Sequence, residues 1–246
     1  MAGRTFATGD IHGDLDALQR IEARLPSLDS GDTLVFLGDY VNRGPCSAGV
    51  IEHLRSLSRR CDAKIVTLRG NHEDAWLRII DEGWPEFVLP PAYGCLEAME
   101  SYLGPLERPL DVELQQALCT GRFFPLDVVE WFRSLPYFYE DEHAIYVHAG
   151  LARDPSGRFL HPSMTTPQWP LMWYRDQHFF REYRGKRVVF GHTMTETLPE
   201  ELSSYTPDDP TDLWSGPCTI GLDTGAGKGG FLTTLELPSM KVYESR

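Results

Sequence analysis

Apolar residues in this chain come in short runs that stop abruptly at polar clusters. Five such runs, Arg4–Thr8, Thr33–Leu37, Lys64–Leu68, Ala144–Val147 and Arg187–Phe190, are rich in Val, Ile and Phe, as buried strands are. Between the first three runs the apolar positions switch to helical spacing. Leu15, Leu18, Ile21 and Leu25 mark one face of a first helix, and Val50, Ile51, Leu54 and Leu57 one face of a second that starts near Ser47, a candidate N-cap. This alternation predicts βαβ units whose strand ends gather on one side of a sheet, the side on which such folds bind ligands.

The polar clusters that close these runs are unusual. They read Gly9-Asp10-Ile11-His12-Gly13, Gly38-Asp39-Tyr40-Val41-Asn42-Arg43-Gly44, Gly70-Asn71-His72-Glu73, His148-Ala149-Gly150 and Gly191-His192-Thr193. Asp, Asn and His are oxygen and imidazole donors for divalent metals. A lone Asp or His beside a glycine is more often a turn cap than a ligand, but donors at five strand ends are hard to ascribe to coincidence. The flanking glycines are expected to supply positive φ or close approach around a bound ion. His53, His143, His161 and His178 sit in no such cluster and keep the plain structural reading.

With these motifs in this order, the chain resembles the calcineurin-like binuclear metallophosphoesterases, specifically the phosphoprotein phosphatase branch, over nearly its whole length. The resemblance implies a four-layer α/β sandwich of two mixed β-sheets flanked by helices. It further implies two divalent metals, with Asp10, His12 and Asp39 on the first and Asp39 bridging to a second held by Asn71, His148 and His192. Manganese is the expected ion, with iron, zinc, cobalt or nickel as alternatives. Two ions about 3.5–4 Å apart lower the pKa of a shared water and clamp the phosphoryl oxygens for in-line displacement. The charge on those oxygens suits guanidinium groups. Arg43 is the first candidate, and Arg175, in Met172-Trp173-Tyr174-Arg175-Asp176, resembles the family's second phosphate arginine. His72 is placed to protonate the leaving group as general acid.

Two cues on substrate conflict. Leu68-Arg69-Gly70-Asn71-His72-Glu73 looks like the bacterial serine/threonine protein phosphatases of that branch, and this is the favoured reading. Asn42, however, stands where those phosphatases usually carry an Asp that orients and charges the imidazole corresponding to His72. Asn42 can accept a hydrogen bond but brings no charge, so the acid step would fall to Glu73 or another carboxylate, or to a leaving group needing little protonation. An uncharged residue there looks like the symmetrical bis(5'-nucleosyl)-tetraphosphate hydrolases, the alternative reading. A metal-bound, inactive scaffold for phosphoproteins is the non-enzymatic one.

Other signatures fail. Gly225–Gly230 satisfies GxGxxG, but it lies between the strand-like runs Thr219–Leu222 and Phe231–Leu237, opens no helix, and reads as a hairpin-like turn. None of the five cysteines has an Arg six residues on, which excludes the cysteine-phosphatase motif. Asp14-Leu15-Asp16 falls inside a helical pattern. Glu73 could equally open a helix, where a carboxylate favours the dipole.

Composition refines the picture. With 246 residues, 41% hydrophobic and 24% charged, the chain reads as one domain. Residues 84–142 form a helical insertion in which Cys95, Leu96, Met99 and Leu103, then Val128, Val129 and Phe132, take helical spacing. It is either core packing or a partial cap whose edge, with Tyr93, Arg122 and Phe123, walls the substrate groove. A net charge of −13 argues against nucleic acid as partner and leaves capture of a phosphorylated protein or nucleotide substrate to local cations. Neither a signal peptide nor a membrane span is expected, and an odd cysteine count fits a reducing compartment, the cytoplasm. The polar loop Pro199–Gly216, with Pro207-Asp208-Asp209-Pro210, is expected to cross the surface near the site.

Overall fold

Two five-stranded mixed sheets stack face to face, with helices on both outer sides. The computed structural model describes residues 3–204, 209 and 211–246, so Pro207, Asp208 and Pro210 of the polar loop lie outside the described residues. The first sheet contains β1 (Thr5–Thr8), β2 (Thr33–Phe36), β3 (Lys64–Thr67), β9 (Thr233–Leu237) and β10 (Lys241–Glu244) in the order β10-β9-β1-β2-β3. The second contains β4 (Phe138–Glu140), β5 (Ile145–Val147), β6 (Val188–Phe190), β7 (Trp214–Ser215) and β8 (Thr219–Gly221) in the order β4-β5-β6-β8-β7. β1, β2 and β3 form one parallel set, with β9 antiparallel to both β1 and β10, and β5, β6 and β8 form the other, with the edge strands β4 and β7 antiparallel to their neighbours.

Period-two alternation decides the layering. Ala7, Val35, Val66 and Leu235 of the first sheet meet Tyr146, Val189 and Ile220 of the second in a core between the sheets. Their neighbours Phe6, Leu34 and Phe36 point the other way, onto α1 (Leu15–Arg24) and α2 (Ser47–Leu57), while Ile145, Val147, Val188 and Phe190 point onto α7 (Pro170–Trp173) and α8 (Gln177–Glu182). The four layers implied by the resemblance are therefore present.

Between α3 (Asn71–Glu82) and β4 lie α4 (Cys95–Leu103), α5 (Val112–Thr120) and α6 (Leu126–Ser134). Their apolar face joins the outer core of the first sheet: Met99, Phe123, Phe124, Val129 and Phe132 are buried there, with Phe123 and Phe124 edge-on to Trp76. Phe123 is thus core, while the insertion meets the site through Phe87, Tyr93, Gly94 and Cys95.

Three local expectations need correction. Ser47 is the first residue of α2 and caps nothing; its hydroxyl accepts from the backbone N–H of Asn42 (3.0 Å) and so holds the neighbouring turn. Gly225–Gly230 does not join a hairpin, because β8 and β9 belong to different sheets and β9 pairs with β10. Asp14, in contrast, is the N-cap of α1, accepting from Ala17 N at 2.9 Å. No helix among the described residues is long and apolar enough to cross a membrane.

Candidate metal centre

The six expected ligands converge from both sheets. Asp10 and His12 follow β1, Asp39 follows β2, Asn71 opens α3 after β3, and His148 and His192 follow β5 and β6. All five strands are parallel within their sheets and deliver these residues at their C-terminal ends. Two groups of donors each fall within 4.8 Å: His12, Asp39 and His72, then Asp39, His148 and His192. Asp39 belongs to both, as a bridging ligand would. His12 Nε2 lies 3.4 Å from Asp39 Oδ2 and 3.8 Å from Asp10 Oδ2, and His148 Nε2 lies 3.4 Å from Asp39 Oδ1.

The backbone stores the shape. Six non-glycine residues among those described have positive φ, and five of them, His12, Asp39, Asn42, Arg43 and His192, belong to the site. Such strain persists only where the surroundings impose it. Of the flanking glycines, Gly13 and Gly38 take positive φ and Gly70 and Gly191 serve close approach, as expected, and several of the candidate donors adopt positive φ themselves. A Cβ on Gly70 would sit 2.2 Å from both Asp39 N and Asp39 Oδ1, and one on Gly191 would sit 2.1 Å from Asp10 Oδ1.

Tautomers follow from second partners. His12 Nδ1 donates to Val41 O (3.0 Å) and His148 Nδ1 to Leu37 O (2.9 Å), which leaves both Nε2 atoms as lone pairs facing the centre. His148 Nε2 then faces Asn71 Oδ1 at 3.0 Å, acceptor against acceptor, an arrangement that a cation reconciles. Asn71 Oδ1 also lies 2.8 Å from His192 Nδ1, whose Nε2 is buried without a partner. Burial drives His12, His148 and His192 below the ordinary imidazole range, so they are neutral, the metal-binding form. Burial alone would raise Asp39, but it lies well below the usual carboxylate range, with the backbone N–H of His72 donating to its Oδ1 at 2.9 Å. Asp10 is pushed up by burial, then by Asp223 and Asp39. The donor set, buried and short of positive charge, fits two divalent cations.

The remaining expected residues sort themselves. Arg43 Nη1 donates to His12 Nε2 (2.5 Å), which puts the guanidinium at the edge of the cluster. Arg175 Nη2 donates to His192 O (3.2 Å), beside the second group of donors. Arg69 turns away, onto Tyr137 and the Arg133 carbonyl. His53, His143, His161 and His178 pair with Glu22, the Gly3 carbonyl, Glu140 and Glu182, outside the centre.

At His72 the structure departs from expectation. Trp76 Nε1, which can only donate, takes Asn42 Oδ1 as its acceptor at 2.9 Å. Asn42 therefore turns its amide group outward, donating from Nδ2 to His72 Nδ1 (2.8 Å), with Cys95 Sγ 3.3 Å away as a second acceptor. Asn42 was expected to accept from the imidazole, and the geometry is the reverse: the proton of His72 sits on Nε2, which lies 3.8 Å from Asp39 Oδ2. Burial pushes the His72 imidazole down to about 3. Burial also pushes the Cys95 thiol up to about 12, so no thiolate competes as nucleophile.

Glu73 lies in the first turn of α3, as one of its two expected roles required, and its carboxylate is engaged with backbone N–H groups instead of with His72. Its Oε2 accepts from Gly70 N (3.0 Å) and Asp39 N (2.9 Å), and its Oε1 from Tyr40 N (2.8 Å), fastening the Asp39 turn to α3. The sequence reading also missed Trp76 and Asp223. Asp223 ends a strand-like run as the other donors do, which was the available signal; it is fully buried and paired with Lys228 Nζ at 2.9 Å.

Residues 3–196 match the family model of the calcineurin-like phosphoesterases. The chain belongs to this family. Its metallophosphoesterase relatives include a symmetrical bis(5'-nucleosyl)-tetraphosphatase from Dechloromonas aromatica, 31% identical over 147 residues, 60% of this chain and 44% of that protein. The chain thus aligns with less than half the length of that relative. An asymmetrical bis(5'-nucleosyl)-tetraphosphatase from Anoxybacillus flavithermus is 26% identical over 252 residues, covering 95% of this chain and 90% of its own. The serine/threonine-protein phosphatase SIT4 of Candida albicans is 44% identical over 68 residues, 26% of this chain and 22% of that protein. Among solved structures, one provisionally described as a diadenosine tetraphosphatase superposes with a TM-score of 0.59 at 24% identity, over 99% of this chain and 93% of its own, and shares the fold.

Proposed function

We propose that this member of the family hydrolyses dinucleoside polyphosphates at a binuclear centre held by Asp10, His12, Asp39, Asn71, His148 and His192. Bound metals would activate water and neutralise phosphoryl charge; Arg43 and Arg175 flank the position of the phosphoryl group. The observation that carries the choice of substrate is the hydrogen-bonded chain from Trp76 through Asn42 to His72. An imidazole whose Nδ1 accepts from an amide can be protonated only by displacing that donor. It can offer an Nε2–H hydrogen bond but is a poor source of a proton. An alkoxide leaving from phosphoserine or phosphothreonine needs that proton. A nucleotide phosphate does not, since a phosphate monoester's second ionisation is at about pH 6.

This reverses the order favoured from sequence, where protein phosphatase stood first. The Leu68–Glu73 segment and the SIT4 match support that second reading, but Glu73, which carried the resemblance, is occupied with backbone N–H groups. The two separate on kcat/KM for diadenosine tetraphosphate against phosphoseryl and phosphothreonyl peptides with manganese present. The dinucleotide is expected to win by at least about tenfold, about 1.4 kcal/mol of transition-state discrimination, and a preference for the peptides would overturn the proposal. Two ADP products would mark symmetrical cleavage, ATP and AMP asymmetrical cleavage.

A further inference from the structure

One aromatic ring stands beside the centre with a face to spare. Tyr93 belongs to a short 3-10 turn, Pro91–Tyr93, at the edge of the insertion. Its ring lies 6.1 Å from that of His72, centroid to centroid, at 77°. One of its faces stacks on Phe87 at 4.8 Å and 25°. Phe87 is buried against Trp84 and Trp173 and cannot recede, and Trp173 is itself anchored by donation from Nε1 to Asp74 Oδ2 at 2.7 Å. Tyr93 is 36% exposed. The next residue, Gly94, accepts from Arg43 N at 3.2 Å, and a Cβ on it would stand 2.1 Å from that nitrogen. The platform is therefore tied by its backbone to the turn that carries Asn42 and Arg43, on the side of His72, whose Nε2–H would face the leaving oxygen in the proposed reaction.

A flat, rigid, half-exposed ring backed by a second ring is built to extend a stack. We propose that the outward face of Tyr93 stacks the base of the leaving nucleotide, with purines bound better than pyrimidines because they cover more of the ring. The inference rests on the dinucleotide reading and names the part of the substrate that this surface selects. Because the larger purine overlaps more of the ring, a preference of roughly five- to tenfold for purine over pyrimidine is expected.

Inhibition of p-nitrophenyl phosphate turnover by AMP and ADP, against CMP and CDP, tests this on the metal-loaded enzyme without requiring dinucleotide turnover. In the wild type the purine nucleotides should inhibit roughly five- to tenfold more tightly. In Tyr93→Leu the ratio should fall to about twofold or less, and in Tyr93→Trp it should hold or rise, the indole offering a larger face. Because each ratio is taken within one protein, a general loss of activity cancels, and if the leucine variant does not fold, a ratio reduced in the tryptophan variant already overturns the proposal. A wild-type ratio near one, or a ratio unchanged in Tyr93→Leu, also overturns it. If phosphopeptides outcompete the dinucleotide while the ratio still depends on Tyr93, the dinucleotide reading fails and the base-stacking surface stands.

Discussion

A single indole N–H sets the chemistry available to His72. Trp76 was not singled out from the sequence; its consequence for Asn42 needs the fold, since it lies 34 positions away and spends its one donor on the Asn42 carbonyl. Asn42→Asp places a carboxylate between the same two neighbours. One oxygen keeps the Trp76 donor, and the other turns His72 Nδ1 into a protonated donor with an adjacent anion, which raises the imidazole pKa. Hydrolysis of alkyl phosphates should then rise by roughly 10- to 100-fold near pH 7, within the range of general-acid effects, and decline again above the new pKa. Diadenosine tetraphosphate turnover should move much less. Steady-state pH–rate profiles on both substrates check this; equal gains on both would mean that Asn42 acts through the metals or the fold. The candidate donors that the fold brings together were legible because each follows an apolar run at a strand end, a signal that depends on residue type and order alone.

Elements tell a similar story. The central strands were readable because burial on both faces leaves Phe6, Ala7, Leu34, Val35 and Phe36 in unbroken apolar runs. The edge strands β4 and β10 were not, because one side lacks a partner strand and the sequences Phe138–Glu140 and Lys241–Glu244 mix charge with aromatic residues. Helix α5 was missed for want of an apolar stripe: none of its residues is buried and Val112 is 80% exposed. At this scale the critical feature is the closeness of the β3–α3 turn to the β2 turn. Gly70→Ala should force the two apart, since the new methyl would meet Asp39 on both its backbone and its carboxylate. A cost of about 1–3 kcal/mol is expected from overpacking, with metal affinity down by roughly 10- to 100-fold as the bridging carboxylate loses its support. Chemical denaturation and metal titration measure the two separately; unchanged metal affinity would show that the turns can yield.

For the whole molecule, the four buried imidazoles make stability depend on pH. His12, His72, His148 and His192 all have lowered folded pKa values, His72 to about 3, against about 6.5 when unfolded. The unfolded chain therefore binds more protons than the folded one below about pH 6.5, and stability contributed above that pH is lost as pH falls towards the folded values. Each such proton steepens the dependence by about 1.4 kcal/mol per pH unit. Glu73, pushed up to about 8, and Asp10, also raised by burial, hold protons in the fold that the unfolded chain releases, and so oppose this slope near neutral pH. Chelated protein should therefore lose Tm mainly below about pH 6, where the unfolded histidines are protonated, while saturating Mn²⁺ lifts the curve. A Tm that does not fall between about pH 6 and pH 5 would contradict neutral imidazoles in the fold. The strand order also has a consequence for how the protein is made. β1 is flanked by β2 on one side and by β9 on the other, with Thr5 opposite Leu237. A chain emerging from the ribosome can pair β1 with β2 and β3 early, yet it must carry β1 with one edge bare until nearly everything else has been synthesised. His148 and His192 arrive only on the second sheet. On the proposed binuclear reading, complete metal loading would be a late event in the life of the nascent chain, and a ribosome stalled before β6 would display a polypeptide with the proposed donors of the first ion but not the full set for the second.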